Sequence, residues 1–446
     1  MVWLLQLRYD GGSLVVKGEV ATPYGMWDPR VEAYRAMAIH YSDILEYLDR
    51  SEILYWDRVP DPPPCPTLRC GVELRSYQQK ALNAWLDAGG RGVIVLPTGA
   101  GKTYIALKAM EELNVATLVV VPTLDLVTQW REQLEHQFGV EVGVYGGGES
   151  VLKALTVATY DSAYIRAPQL GNKFLLVIFD EVHHLPAPSY SQIAEMYIAP
   201  YRMGLTATYE REDERHRQLP GLVGGRVYQL GVDALAGTHL SPYTHEKVFV
   251  DLTPQEQEVY EREYSVFTSY LKRKNISLRS PEDFQRFIMH TGVDPEARNA
   301  LLARNTAVKI ALNSTAKINR LAELLQTHRE EKTLIFTRHN QLVYRISRRF
   351  LIPAITHQTP REERKEILDR FKAGRYRVIV TSQVLDEGVD VPDATVGLIL
   401  SGTGSSREYI QRLGRILRKR EGKQARLIEI VSRETVETRI SQRRHR

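Results

Sequence analysis

Cysteine is nearly absent: the 446 residues hold two, Cys65 and Cys70. They stand in the string C-P-T-L-R-C, with no histidine or further cysteine nearby to complete a tetrahedral set. A structural zinc site and an iron–sulfur cluster are therefore not expected. So few thiols also suit a reducing compartment. Long apolar runs are missing too, and none approaches the ~18 residues a membrane span needs. The opening MVWLLQLRYDGG has no basic region before its apolar residues, and the run is too short for a signal peptide. A cytoplasmic protein without a membrane partner is expected. A strong excess of charge is also lacking. The net charge is +5, too slight over this length to point to nucleic acid by itself, so the distribution must decide.

Hydrophobic residues make up 43% and charged residues 25%, an ordinary globular balance with material for several cores. Residues 1–58 read as a small α+β domain. WLLQLRYDGGSLVVKGEV reads as two strands joined at Asp10-Gly11-Gly12, a hairpin signal. RVEAYRAMAIHYSDILEYLDR has helical spacing. Nine aromatics lie between Trp3 and Trp56, and most are needed for so small a core. One or two could wedge into distorted DNA. Residues 1–70 carry seven basic against ten acidic side chains, net −3, which argues against broad phosphate binding there. Residues 59–70 are a linker: five of the seven residues from Pro60 to Pro66 are proline, which stiffens a chain and bars helix.

Residues 71–238 alternate apolar β-branched runs (VIVL, TLVVV, LTVAT, LLVIFD, MGLTAT) with amphipathic stretches. That pattern predicts a parallel sheet covered on both faces. It returns within 239–446 as TLIFT, AIT, RVIVTS, VGLIL and RLIEIV. The fold class is thus α/β, with two similar parallel-sheet lobes. A helical insert at about 253–310 interrupts the second, with Ser280 to Asp283 as a helix-start signal. Thr359-Pro-Arg-Glu362 reads as a capping box. From Tyr264 to Pro281 there is no acidic residue, and Lys272, Arg273, Lys274 and Arg279 sit together, as a solvated face or as phosphate contacts. The closing RISQRRHR admits the same two readings, solvated charge or docking.

The string VIVLPTGAGKTY carries the chemistry. A strand runs into Pro97-Thr98-Gly99-Ala100-Gly101-Lys102-Thr103, and a helix follows. Small residues let main-chain N–H groups turn inward around a phosphate, and the helix start adds its positive dipole end. Lys102 would neutralise β/γ-phosphate charge and Thr103 would ligate Mg²⁺. The full phosphate-loop pattern wants glycine where this chain has Leu96. Asp180 and Glu181 end the run LLVIFDEVHH. At the carboxyl edge of a parallel sheet, Asp180 would hold Mg²⁺ and Glu181 would orient and deprotonate water.

With DEVH at 180–183 and PTGAGKT before it, the chain resembles superfamily 2 helicases and translocases. RSYQQKAL, with Arg75 and Gln78, resembles their adenine-reading element. VVPTLDLVTQW and VATYDSA, with Thr159, resemble the strand-contacting motifs Ia and Ib. LTAT, with Thr206 and Thr208, resembles motif III, which couples hydrolysis to movement. LIFTRHN resembles motif IV, and TSQVLDEGVDVPDA, with Thr381, Gly388 and Asp390, motif V. QRLGRILR, with Gln411, Arg415 and Arg418, resembles motif VI. Within that superfamily the chain is most similar to the archaeal XPB proteins. FDEVHHLPAPSY and GLTATYEREDERH carry the likeness, Arg211-Glu212-Asp213 matches the RED element, the insert takes the place of the thumb, and the leading unit resembles the small damage-recognition domain.

The resemblance implies two RecA-like motor lobes, ATP and Mg²⁺ as cofactors, and duplex and forked DNA as partners. It implies a 3′–5′ helicase or translocase acting in nucleotide excision repair, associated with the nucleoid and with a nuclease partner. It also implies that His183 relays nucleotide state, that Arg211, Glu212 and Asp213 engage the duplex, and that Thr159 and Thr381 contact DNA, while Lys272, Arg273 and Lys274 are DNA-contact candidates by their charge. Arg415 and Arg418 stand i, i+3 on one helix face and would stabilise charge on the transferring phosphoryl group. Two alternatives stay open: a duplex translocase that drives a nuclease without unwinding alone, and a damage-binding module with weak ATPase.

Overall fold

The computed structural model describes residues 5–18, 20–211, 213–237, 239–382, 394–402, 414 and 424–444. They fall into two compact units that divide between Leu235 and Ala236.

The first unit opens with β1 (Leu5–Asp10) and β2 (Ser13–Lys17), antiparallel around a Gly11-Gly12 turn. Both glycines hold positive φ, +56° and +99°, as a tight hairpin requires. Then come β3 (Met26–Asp28), β4 (Ala33–Met37), α1 (Tyr41–Arg50) and β5 (Tyr55–Arg58), in a sheet ordered β3-β4-β2-β1-β5. Residues 33–37, expected as helix, form strand β4. Their partners decide it: Arg35 ion-pairs Asp10 at 2.8 Å and Asp28 at 3.1 Å, and Ala36 lies opposite Leu14 in the core. Cross-strand packing overrides local helical spacing.

Eight strands build the larger sheet: β6 (Arg91–Val95), β7 (Thr117–Val121), β8 (Val142–Gly146), β9 (Glu149–Val151), β10 (Leu155–Thr159), β11 (Leu176–Asp180), β12 (Tyr201–Thr206) and β13 (Arg226–Gln229). Their order is β13-β6-β12-β11-β7-β10-β8-β9, parallel except for the β8–β9 pair. The helices α2 (Ser76–Asp87), α3 (Lys102–Leu113) and α4 (Leu124–Phe138) belong to this lobe. The strands β7 and β11 are buried on both faces, which is why they read as unbroken apolar runs.

The small sheet docks on this lobe. The Tyr9 hydroxyl lies 2.9 Å from the Ala167 carbonyl and 3.0 Å from that of Met196, and Ile198 joins the small unit's core. The approach needs Gly171, where a Cβ would stand 2.0 Å from the Tyr9 oxygen. The proline-rich segment forms no helix or strand but is held along its length. The Asp61 amide donates to Asn172, Lys173 ion-pairs Asp61, the Leu68 amide donates to Asn114 Oδ1 at 2.7 Å, and the Cys70 amide donates to Glu111 Oε1 at 3.1 Å. Cys70 is a buried free thiol, and burial pushes its pKa up.

The second unit has an all-parallel six-stranded sheet of β14 (Tyr243–Val250), β15 (Thr333–Phe336), β16 (Ala354–Ile355), β17 (Val378–Thr381), β18 (Val396–Ile399) and β19 (Ala425–Ser432). Its order is β14-β19-β18-β15-β17-β16. The helices Pro254–Arg273, Pro281–His290 and Pro295–Leu312 lie between β14 and β15, each with proline in its first turn. Thr253 and Ser280 cap the first two through complete capping boxes with Glu256 and Asp283. The capping box expected at Thr359 does not form. The helix starts at Arg361 behind Pro360, and the Thr359 hydroxyl accepts instead from the Thr356 amide at 2.9 Å.

Candidate functional site

Leu96, where the phosphate-loop pattern wants glycine, is fully buried and extends the strand: its amide donates to the Thr206 carbonyl at 3.0 Å. The turn proper is Pro97 to Gly101. Gly99 and Gly101 hold φ of +82° and +76°, and Gly101 caps α3 in the left-handed conformation. A Cβ at Gly101 would lie 2.4 Å from Gln78 Nε2, so glycine is required there twice over. Lys102 folds back over the turn, donating to the Leu96 carbonyl at 2.9 Å and the Pro97 carbonyl at 3.4 Å. Thr103 follows on the first turn of α3, half-buried.

Gln78 is buried and braces this loop. Its amide nitrogen donates to the Ala100 carbonyl at 2.9 Å, and its oxygen accepts from the Arg75 amide at 2.9 Å. Tyr77, which motif reading passed over, donates its hydroxyl to the same Ala100 carbonyl at 2.7 Å. Arg75 caps α2 from an exposed position.

Asp180 ends β11 on the neighbouring part of the sheet. Its Oδ2 accepts from Trp130 Nε1 at 2.9 Å and its Oδ1 from the Glu181 amide at 3.0 Å. Enclosure of the carboxyl raises its pKa above the ordinary carboxylate range, while Trp130, Lys102 and the Glu181 amide pull it down. Glu181 adopts φ +49°, a left-handed conformation that non-glycine residues rarely hold, and it aims the turn after the strand. Its Oε2 lies 3.4 Å from His183 Nδ1. That nitrogen also stands 3.1 Å from Thr206 Oγ1, and Thr206 in turn donates to the Thr208 carbonyl at 2.8 Å. The Thr208 hydroxyl is buried and has no hydrogen-bond partner among the described residues. Arg211 donates to the His183 carbonyl and forks onto Asp213 at 2.8 and 2.7 Å, which holds the Asp213 carboxyl well below its usual range. One chain of contacts thus runs from Glu181 through His183 to the loop after β12.

The donor set suits a hard divalent cation. A hydroxyl at Thr103 and a carboxylate at Asp180 are oxygen ligands, and Lys102 interacts electrostatically with that carboxylate. No group of three or more His, Cys, Asp or Glu side chains forms a self-sufficient metal cage among the described residues.

Residues 71–211 match the family described as type III restriction enzyme, res subunit, and residues 316–420 the helicase conserved C-terminal domain. Residues 7–59 match the xeroderma pigmentosum group B helicase damage recognition domain. The DNA 3′-5′ translocase XPB2 of Sulfurisphaera tokodaii is 47% identical over 99% of this chain and 100% of its own length. The chain belongs to the XPB family of superfamily 2 helicases. The putatively named Rad25 DNA 3′-5′ helicase of Haloarcula marismortui is 30% identical over 82% of this chain, which spans 53% of that relative. The helicase domain of Pyrococcus furiosus Hef has the same fold of paired RecA-like lobes, at TM-score 0.56 and 21% identity, covering 84% of this chain and 98% of that one.

Among the residues expected to contact DNA, Lys272, Arg273 and Lys274 are exposed, with Arg273 pairing Glu296 at 3.0 Å. Thr159 caps the helix Tyr160–Ile165, its hydroxyl accepting from the Ser162 amide at 3.1 Å, so a phosphate would have to share it. Thr381 is fully buried at the end of β17 with its hydroxyl donating to the Ser382 carbonyl at 3.0 Å. Glu212, Gly388, Asp390, Gln411, Arg415 and Arg418 lie outside the described residues. Trp130 is the main residue that sequence reading missed. Its only signal was an indole closing the motif Ia string, which reads equally as core. No helix among the described residues is long and apolar enough to cross a membrane.

Proposed function

We propose that this chain is an ATP-driven 3′–5′ motor on duplex DNA. The phosphate loop, Asp180-Glu181 and the Thr206 turn converge on the carboxyl edge of one parallel sheet, in a chain that aligns end to end with a relative named as a DNA 3′-5′ translocase. That convergence carries the reading. Main-chain amides of 98–103 and the start of α3 bind the triphosphate, and Lys102 leaves its two carbonyls for the β/γ-phosphates. Thr103 and Asp180 would hold Mg²⁺, which would supply charge neutralisation at the phosphates. Glu181 orients the attacking water, with Arg415 and Arg418 adding positive charge at the γ-phosphate. Gln78, Arg75, Gly388 and Asp390 complete the nucleotide contacts. His183 and Thr206 pass the change at Glu181 to Arg211, Glu212 and Asp213, which engage the duplex. Work in nucleotide excision repair at the nucleoid, and a nuclease as companion, rest on family membership alone.

Steady-state ATP hydrolysis by the whole chain tests this, alone and with blunt duplex, forked DNA, single-stranded DNA and RNA. Duplex or forked DNA should stimulate most; stimulation by RNA alone would overturn the reading. Lys102→Ala should cut hydrolysis by at least ~100-fold and leave DNA binding intact. Loss of both activities would show that the nucleotide and DNA sites are not separate.

A further inference from the structure

From Lys332 to Arg361 the second unit has six lysines and arginines and no acidic residue. The helix Asn340–Phe350 sits inside this stretch. Leu342, Val343 and Ile346 bury its apolar side, leaving Gln341, Tyr344, Arg345, Arg348 and Arg349 exposed at helical spacing. Those five residues line an open groove of about 590 Å³. Gln341 is shared with a second hollow of about 680 Å³, where Lys309, Arg338 and His357 meet beyond the carboxyl ends of β15, β16 and β17. Cations therefore line both hollows, and no acidic side chain among the described residues lines either.

We propose that this stripe is a track for the phosphate backbone of duplex DNA, an inference that rests on the DNA-motor reading. A surface helix kept only for solubility carries acidic partners one turn away. Elsewhere in this unit that holds: Arg370 pairs Glu366, Arg320 pairs Glu323 and Arg286 pairs Asp283. Among the described residues, none of Lys309, Arg338, Arg345, Arg348 and Arg349 is ion-paired with a carboxylate. Two of them are instead aimed by neutral acceptors. Arg345 donates to Thr315 Oγ1 at 3.0 Å, and Arg349 to Asn319 Oδ1 at 3.0 Å. Such tethers orient a guanidinium and leave its charge uncancelled, as an anion partner requires.

The composition favours a duplex backbone over an unpaired strand. Gln341 to Arg349 rises about 12 Å, an axial length over which one strand of a duplex carries three to four phosphates. Binding of unpaired bases relies on successive aromatic faces. This stripe has one aromatic, Tyr344, tied by its hydroxyl to Thr356 and Gln358 at 3.0 Å each.

The test compares whole-chain wild type, R348Q/R349Q and R348K/R349K, measuring affinity for blunt duplex and for single-stranded DNA between about 50 and 200 mM salt. In the glutamine variant, duplex affinity should drop several-fold at the low end. The slope of log affinity against log salt should flatten by about 2, near 0.9 per lost contact. The lysine variant should keep the wild-type slope, and basal ATPase and melting temperature should match wild type throughout. Wild-type affinity and slope in the glutamine variant would overturn the proposal and leave the stripe to an acidic protein surface or to solvent. A change confined to single strands would overturn the choice of duplex. A matching loss in the lysine variant with a lower melting temperature would make the arginines structural. A wild type with no duplex affinity would sink the motor reading together with this one.

Discussion

Arg202 donates to four main-chain carbonyls, those of Ala194, Tyr197, Ala199 and Leu222, at 2.6 to 2.9 Å. It is 1% exposed, and burial pulls its pKa down to about 9. Ala194 and Leu222 lie in the last turns of the helices Ser191–Met196 and Leu219–Leu222, where carbonyls run out of intrahelical amides, and Tyr197 and Ala199 follow the first helix. One guanidinium thus seals two helix ends beneath the strand that leads to Thr206. Arg202→Met should cost more than about 3 kcal/mol by denaturant unfolding, because several buried acceptors are stranded at once. A loss below about 1 kcal/mol would show that water replaces the guanidinium.

Nothing local in YRMGLT foretells that role, since its acceptors are set by the tertiary fold. The same holds for Trp130, 50 residues from Asp180, and for Tyr77, 23 residues from Ala100. The phosphate loop was readable because its demands are local: small residues, a preceding strand, and a lysine at the helix start. Leu96 departs from the written pattern because its position, just past β6, is buried and its amide bonds to the Thr206 carbonyl.

Between elements, the helices Thr315–Thr327 and Val436–Arg444 are joined by an ion pair hidden from water. Lys317 Nζ lies 2.5 Å from Glu437 Oε1 and 2.6 Å from the Leu400 carbonyl, with both side chains at most 1% exposed. The other carboxylate oxygen accepts from the Ser432 amide at 2.9 Å. Lys317→Met should therefore destabilise the protein by about 3–5 kcal/mol, since a buried carboxylate is left without its cation. K317M with Glu437→Gln should recover a good part of that loss in a double-mutant cycle; additive losses would mean the pair has no coupling. At this scale the central strands were legible, because burial on both faces writes itself as continuous apolar sequence. The strand β4 was not, because its stability comes from Arg35 reaching Asp10 and Asp28 across the sheet. The edge strand β14 was missed for a related reason: it alternates between half-buried and exposed along most of its length, and its one apolar run is the short Val248-Phe249-Val250.

Across the whole first unit, the leading sheet and the eight-stranded lobe are one packed body. Tyr9 holds the junction, and burial raises its phenol pKa well above the usual range. Tyr9→Phe leaves the Ala167 and Met196 carbonyls facing an apolar ring, a loss of about 1–3 kcal/mol. Hydrogen exchange should accordingly quicken in β1, β2 and 167–198 while the centre of the large sheet stays protected. Equal protection in both proteins would mean the docking does not depend on this hydroxyl. The proline-rich stretch has the composition of a spacer, yet Asn114, Glu111 and Lys173 fasten it down.

That fastening bears on where the chain can be cut. A motor fragment begun at Gly71 would shed the small sheet and the strap together. It would present Met196 and Ile198 to water, and it would strand Glu111 and Asn114 without the amides they receive. Such a fragment keeps every motif of the nucleotide site but carries a raw adhesive face, so its solubility and shelf life are the properties that would betray the missing 70 residues first.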